Sequence, residues 1–210
     1  MSRSGSERRG RQIVFEVKKY SAERLEECVT LLAEAFVDNP LHLAAFGRGR
    51  LDQNRLFFRI GLRQMFLGES FVALADGRLA GYVHYRHSPN CLPAPEEVPQ
   101  AAATLLKPLG EAMPQVVRWY CRWCRVDPDE PHVHLGPIAV SPELQRQRVG
   151  TALMLRYIEY LDQEKIAGYL ETDRRGNVEF YREFGFIVQR EEELIGVPVW
   201  YMWRPSDKPS

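Results

Sequence analysis

The sequence predicts an α/β (α+β) fold, a mixed sheet of six to seven strands with helices on both faces. Three observations predict it. Apolar residues alternate between a period of two and a helical period several times along the chain. The last third reads strand, helix, short strand, helix and two further strands, an order in which helices must cover a mixed sheet. No stretch rich in Gly, Ser or charge divides residues 12–206, so one domain is expected there, with a disordered tail over 1–11.

The elements follow in order. Arg11 to Lys18 holds the alternating Ile13-Val14-Phe15-Glu16-Val17, a first strand. Ser21 is an N-cap candidate, and Leu25, Cys28, Val29, Leu32 and Phe36 recur at helical spacing. Asp38-Asn39-Pro40 stops that helix, because Pro40 drives Asn39 out of the α region. A second helix runs from Leu51 to Leu67, and Asp76-Gly77 turns a hairpin of Ser70–Ala75 and Leu79–Tyr85. Arg86 to Pro99 is proline-rich and reads as a loop. Gln100 to Trp123 is helical, broken at Pro108 and Pro114. After a turn at Asp127-Pro128-Asp129 come strand His132–Val140, helix Val149–Glu164, strand Tyr169–Thr172 and helix Asn177–Phe184. Strands Phe186–Glu191 and Val197–Trp203 end the domain.

Composition narrows the function. Lys+Arg and Asp+Glu balance at 28 each, so the charge footprint of a nucleic-acid-binding chain is missing. No apolar run approaches the roughly 20 residues that span a bilayer, and MSRSGSERRGRQ lacks the apolar segment of a secretory signal. Four scattered cysteines fit a reduced, cytoplasmic protein better than a disulfide framework.

Two segments carry the chemistry. In the first, a strand ends at Val140, a polar loop follows, and a helix opens near Gly150. The free N–H groups of a first helical turn and the helix dipole favour an anion. Gly150 removes a Cβ where a phosphate comes close, and Arg146 and Arg148 add positive charge. In the second segment, Val178, Tyr181 and Phe184 share a helix face and Gly185 ends the helix as a C′ residue.

Together the segments resemble the GNAT superfamily of acetyl-CoA-dependent N-acetyltransferases. Its members carry a Gln/Arg-x-x-Gly-x-Gly/Ala loop after the fourth strand and, 25–30 residues later, an Asn-x-x-Phe/Leu-Tyr-x-x-x-Gly-Phe element. The second element is complete here in Asn177, Phe180, Tyr181, Gly185 and Phe186. The first matches at Gln145 and Gly150 but has Arg148 in place of its first glycine. The resemblance implies a GNAT-type fold and acetyl-CoA as cosubstrate. The backbone of Ile138, Ala139 and Val140 would pair with the pantetheine arm. Gln145, Arg146, Gln147, Arg148, Val149, Gly150 and Thr151 would cradle the pyrophosphate. Asn177 would bond the cofactor, and Tyr181 would protonate the departing thiolate. The strand His132–Val140 and the closing Pro198-Val199-Trp200-Tyr201-Met202 are also similar to the puromycin-acetyltransferase-type branch.

Acetyl transfer needs a neutral amine, a stabilised oxyanion and a protonated leaving group. Glu171, where the fourth and fifth strands should part, is one base candidate. His134 is another, on a strand face expected to include His132, Ile138 and Val140. A solvated strand-end acid and a hydrogen-bonded strand histidine are the structural alternatives. Cys121-x-x-Cys124 with His132 and His134 matches no standard zinc spacing, so no metal is expected. Asp38-Asn39-Pro40 with Trp119, Tyr120 and Trp123 could line an acceptor pocket. The expected acceptor is an amine of a small molecule or peptide, the protein a monomer or homodimer. Acetylation of a protein lysine or N-terminus, and non-catalytic CoA sensing, are the alternatives.

Overall fold

A computed structural model describes residues 15–66, 68–94 and 96–206. The expected tail at 1–11 lies outside the described residues, as do Arg11 to Val14 of the expected first strand and Leu67 of the expected second helix. Strand β1 (Phe15–Lys19) is followed by α1 (Leu25–Phe36), α2 (Pro40–Phe46) and α3 (Leu51–Ile60), which passes into a π-helical turn at Gly61–Met65. The hairpin β2 (Glu69–Ala75) and β3 (Arg78–His87) leads to α4 (Val98–Ala101), short helical segments at 102–112, and α5 (Met113–Val126). Then come β4 (His132–Val140), α6 (Val149–Glu164), β5 (Ala167–Thr172), α7 (Arg175–Arg182), β6 (Ile187–Leu194) and β7 (Val197–Arg204).

The strands form one seven-stranded sheet in the order β1-β2-β3-β4-β5-β7-β6. Only β4 and β5 pair in parallel. The expected mixed sheet with helices on both faces is the one observed. The period-two alternation of β2 explains the two layers. Val72 and Leu74 pack with Leu32, Phe58 and Val116 on one face, whereas Phe71, Ala73 and Ala75 pack with Leu153, Met154 and Tyr157 on the other. Gly185, at φ 87°, turns the backbone out of α7, with its own N–H donating to Arg182 C=O at 3.0 Å and the Phe186 N–H to Tyr181 C=O at 3.3 Å.

Four local expectations change. Asn39-Pro40 ends α1 but also starts α2: Pro40 occupies the first turn, and Asn39 Oδ1 accepts the His42 N–H at 3.3 Å. A proline that stops one helix is equally suited to open the next. The same holds at Pro99, Pro108 and Pro114, each in the first turn of a helical segment. Helix α7 begins at Arg175 and ends at Arg182, two residues before the expected bounds at both ends. Finally, β4 carries an extra residue, since Val83 pairs with Ile138 but Tyr85 with Leu135. This bulge inverts the alternation. His132 and His134 therefore do not share a face with Ile138 and Val140, which pack toward α6 with Val133 and Leu135.

Candidate active site

Strands β4 and β5 pair only from His132 to His134, against Ala167 to Tyr169. Beyond that point they part, and the cleft between them organises the site. On the β3 side, Ser141 N–H donates to Ala80 C=O at 2.9 Å. Antiparallel alternation then turns the N–H and C=O of Ile138 and Val140 away from β3, toward the edge β5 has vacated. Ala139 lies between them, facing β3 with its backbone and 4 % exposed.

Below the cleft, α6 begins. Its first intrahelical donor is Ala152 N–H, to Arg148 C=O at 3.0 Å. The N–H groups of Val149, Gly150 and Thr151 therefore precede the ladder and are free for an anion. The Val149 side chain is itself core, at 1 % exposure. A Cβ on Gly150 would meet Val140 and Phe180 at 3.6 and 3.7 Å, ordinary contact, so packing alone does not demand glycine there. Gln145, Arg146, Gln147 and Arg148 are all exposed. Gln147 is spent locally, donating to Glu143 C=O at 3.0 Å. Arg148, standing where the family pattern has glycine, adopts φ 68° and ψ 10°. It keeps the left-handed conformation that glycine would supply, so the loop's path survives the departure.

Across the cleft, α7 presents Asn177 and Tyr181 to a cavity shared with Ile138, Pro137 and Glu171. Asn177 sits inside the first turn of α7 rather than at its cap. Burial raises the Tyr181 phenol above its ordinary value, with Asp173 adding to the effect, so the hydroxyl keeps its proton at neutral pH.

The far wall of this cavity is aromatic: Phe57 and Phe58 from α3, Trp119, Tyr120 and Trp123 from α5, with His42 from α2. Of the proposed acceptor segment, Asn39 lines the cavity with the three aromatic residues of α5. His42 is neutral, its pKa pushed down by burial to about 4, and its Nδ1–H donates to Asn54 Oδ1 at 2.6 Å. Asp173 holds the mouth together, accepting from Asn39 Nδ2 at 2.7 Å and from the Leu41 N–H at 2.8 Å.

Glu171 is not a solvated acid. Its side chain is 2 % exposed, and His134 Nε2–H donates to Oε2 at 2.7 Å. Glu171 Oε1 finds no partner among the described residues. Nor do His84 Nε2, Trp119 Nε1 and Trp123 Nε1, all on residues of the same cavity. Four buried polar atoms without partners, carried by residues that line one space, are groups that a polar ligand could satisfy. His134 Nδ1 meets Asp127 Oδ1 at 3.1 Å. Burial works against a charged His134 ring, but Glu171 and Asp127 outweigh it and raise its pKa well above the ordinary value. Burial likewise opposes ionisation of Asp127, yet His132 and His134 lower it to about 2.

Of the residues that line this cavity, the sequence singled out Glu171, His134, Asn177, Tyr181 and the aromatic residues of α5, and gave no place in it to His42, Phe57, His84, Cys91 and Asp173. For His84 a signal existed, since it alternates with Tyr82 and Arg86 on β3, and Arg86 pairs with His134. Asp173 offered none, because its partners lie more than 130 residues away.

Comparison with known proteins bears on the family and the fold. The model of the acetyltransferase (GNAT) family matches residues 45–186, which include Ile138–Thr151, Asn177–Phe186 and most of the aromatic wall. A solved structure described as histone acetyltransferase HPA2 and related acetyltransferase, from Corynebacterium glutamicum, superposes with a TM-score of 0.70 at 20% identity, covering 93% of this chain and 98% of that one. PaiA N-acetyltransferase from Thermoplasma acidophilum, solved with coenzyme A, gives 0.53 at 15% identity, with 92% and 99% covered. A GNAT family acetyltransferase from Brucella melitensis, solved with acetyl-CoA, gives 0.52 at 14% identity, with 94% and 91% covered. These likenesses show the fold, and the family match spans most of the chain: the protein belongs to the GNAT acetyltransferase family and is an acyltransferase that uses acetyl-CoA.

Proposed function

We propose that the protein transfers the acetyl group of acetyl-CoA to the amine of a small molecule with an aromatic or apolar body, by direct attack in a ternary complex. One observation carries this reading. The buried, unpartnered Glu171 Oε1 and the aromatic wall share a cavity with Tyr181 and Asn177 at the opening between β4 and β5. A buried carboxylate oxygen facing aromatic rings suits an ammonium group with an apolar body. Apart from the half-buried Trp123, the wall is built from residues of α2, α3 and α5 that are almost fully buried, which favours a compact acceptor over a protein lysine or N-terminus.

In this reading the pantetheine arm extends the sheet along Ile138, Ala139 and Val140. Its pyrophosphate meets the N–H groups of Val149, Gly150 and Thr151, with Arg146 and Arg148 as exposed counter-charges and Gln145 and Gln147 at the loop's rim. Asn177 bonds the cofactor from α7. An alkylamine of pKa about 10.4 is less than one part in a thousand neutral at pH 7, a handicap of roughly 4–5 kcal/mol. Glu171 Oε1 removes that proton, and His134, donating to Oε2, is a positioning residue for it. The amine nitrogen then attacks the thioester carbon, and a backbone N–H beside Val140 receives the oxyanion. Collapse breaks the C–S bond, the Tyr181 hydroxyl gives its proton to the CoA thiolate, the second proton shed by the bonded nitrogen returns to the Tyr181 phenolate through water, and the proton held by Glu171 leaves to solvent. A cytoplasmic setting belongs to the same reading, because all four cysteines are free thiols. Among the described residues no helix is long and apolar enough to cross a membrane.

The test is release of CoA thiol across an amine panel of arylalkylamines, aminonucleosides, polyamines and short peptides, with Tyr181→Phe as control. Turnover of aromatic amines, falling about 10²-fold in kcat in Tyr181→Phe with acetyl-CoA binding retained, is the expected result. Acetyl-CoA binding without thiol release for any amine would favour the sensor instead.

A further inference from the structure

Behind the acceptor cavity, Cys91, Asp127, His132 and His134 bring one potential ligand atom each to within 4.8 Å of one another. Cys91 and both histidines are buried, Asp127 half-buried. We infer that these four side chains form a zinc site that ties the loop after β3 and the end of α5 to β4.

The distances support a common centre. His134 Nδ1 and Asp127 Oδ1 are 3.1 Å apart, and His132 Nε2 lies 3.5 Å from both Asp127 Oδ1 and Cys91 Sγ. Tetrahedral zinc, with bonds of about 2.0 Å to N or O and about 2.3 Å to S, has ligand-to-ligand edges of roughly 3.3–3.8 Å. The cluster is therefore near the required size with little movement. Each histidine also has the outer partner that a metal-bound imidazole uses. His132 Nδ1 contacts Glu130 C=O at 2.8 Å, leaving Nε2 to face the centre. His134 Nε2 contacts Glu171 Oε2 at 2.7 Å, leaving Nδ1 to face it. The Cys91 thiolate and the Asp127 carboxylate would balance the two positive charges of the ion. Tyr169 packs edge-on against both rings, at 5.4 and 5.0 Å between centroids, and Trp203 lies 5.9 Å from the His132 ring. Such an apolar collar restricts water and competing ligands.

The sequence led to the expectation of no metal, and the set it weighed is a different one. The Cys-x-x-Cys pair lies on α5, and neither Cys121 nor Cys124 joins the cluster; a cysteine 41 positions before His132 takes that place. The consequence for the reaction is positional. A metal on His134 Nδ1 would fix its Nε2–H on Glu171 Oε2 and leave Glu171 Oε1 without a protein partner.

The test uses the full chain, stripped with a chelator and titrated with Co²⁺, then with Zn²⁺, without acetyl-CoA. The expected result is uptake of about one equivalent, with a thiolate-to-cobalt charge-transfer band and tetrahedral d–d bands that Zn²⁺ abolishes. Cys91→Ser should lose the charge-transfer band, His132→Ala should weaken uptake at least about tenfold, and a Cys121→Ser/Cys124→Ser double variant should keep the full spectrum. Uptake below about a tenth of an equivalent by the wild-type chain would overturn the proposal. So would persistence of the band in Cys91→Ser, or its loss in the double variant alone. Asp127→Asn, a smaller perturbation, replaces Cys91→Ser if that variant does not fold, with weakened uptake expected and unchanged uptake counting against the site. Metal uptake is read without acetyl transfer, so failure here leaves the acetyltransferase reading standing, and the reverse.

Discussion

The proposed cofactor side of the cleft and the proposed acceptor side are built in opposite ways. The cofactor side comes from two nearly continuous stretches, Ile138–Thr151 and Asn177–Phe186, and works mainly through backbone: strand edges at Ile138 and Val140, and the free N–H groups that open α6. The acceptor side draws single side chains from α2, α3, β3, α5, β4 and β5, and works through burial: aromatic rings, a carboxylate with one unpartnered oxygen, and a cluster of histidines. Backbone sites repeat as local patterns because the chain's path is the functional element. Side-chain pockets need only that distant residues meet, and they tolerate many ways of arranging it.

The sharpest break of this contrast is Glu171→Gln. It preserves shape and the hydrogen bond to His134 but removes the proposed base, so kcat/KM for the amine should fall about 10³-fold. Acetyl-CoA affinity, measured by calorimetry, should stay within about threefold, and a comparable loss on both sides would erase the distinction. A smaller effect is expected from Trp119→Phe. It keeps most of the ring's packing and removes the unpartnered Nε1–H. The amine KM should rise about five- to tenfold, the value of roughly one hydrogen bond, with the acetyl-CoA KM unchanged. The smallest effect concerns Arg148. Replacing it with glycine relieves a left-handed residue but frees the unfolded chain, so thermal unfolding should show a stability change within about 1 kcal/mol. Arg148→Val should destabilise by more, because a β-branched residue resists φ near 68°. If Arg148→Gly instead raised the acetyl-CoA KM more than about tenfold, the side chain and not the loop path would hold the phosphate.

Much of the fold was legible because its signals are local. The Asp76-Gly77 hairpin, the strand–loop–helix at Val140 to Gly150 and the C′ glycine at 185 each follow from a few neighbouring residues. What was not legible had two physical causes. A proline fits the first turn of a helix as well as it breaks one, so Pro40 read as a stop and Pro99 as part of a loop where the polypeptide begins new helices. A bulge inserts a single residue, and one residue is enough to send His134 to the face opposite Ile138.

The sequence by itself determined the sheet with helices on both faces, the strand–loop–helix from Ile138 to Thr151 and the helix that carries Asn177 and Tyr181, because each rests on contacts a few residues long. Only the tertiary structure decided that Glu171 is buried with one free oxygen, and that Asn39, Phe57, His84 and Trp119 enclose the same space. It alone placed Cys91 and Asp127 beside the two histidines. Those meetings depend on how helices pack across a sheet, and no local spacing encodes the distance between side chains that the chain separates by tens of residues.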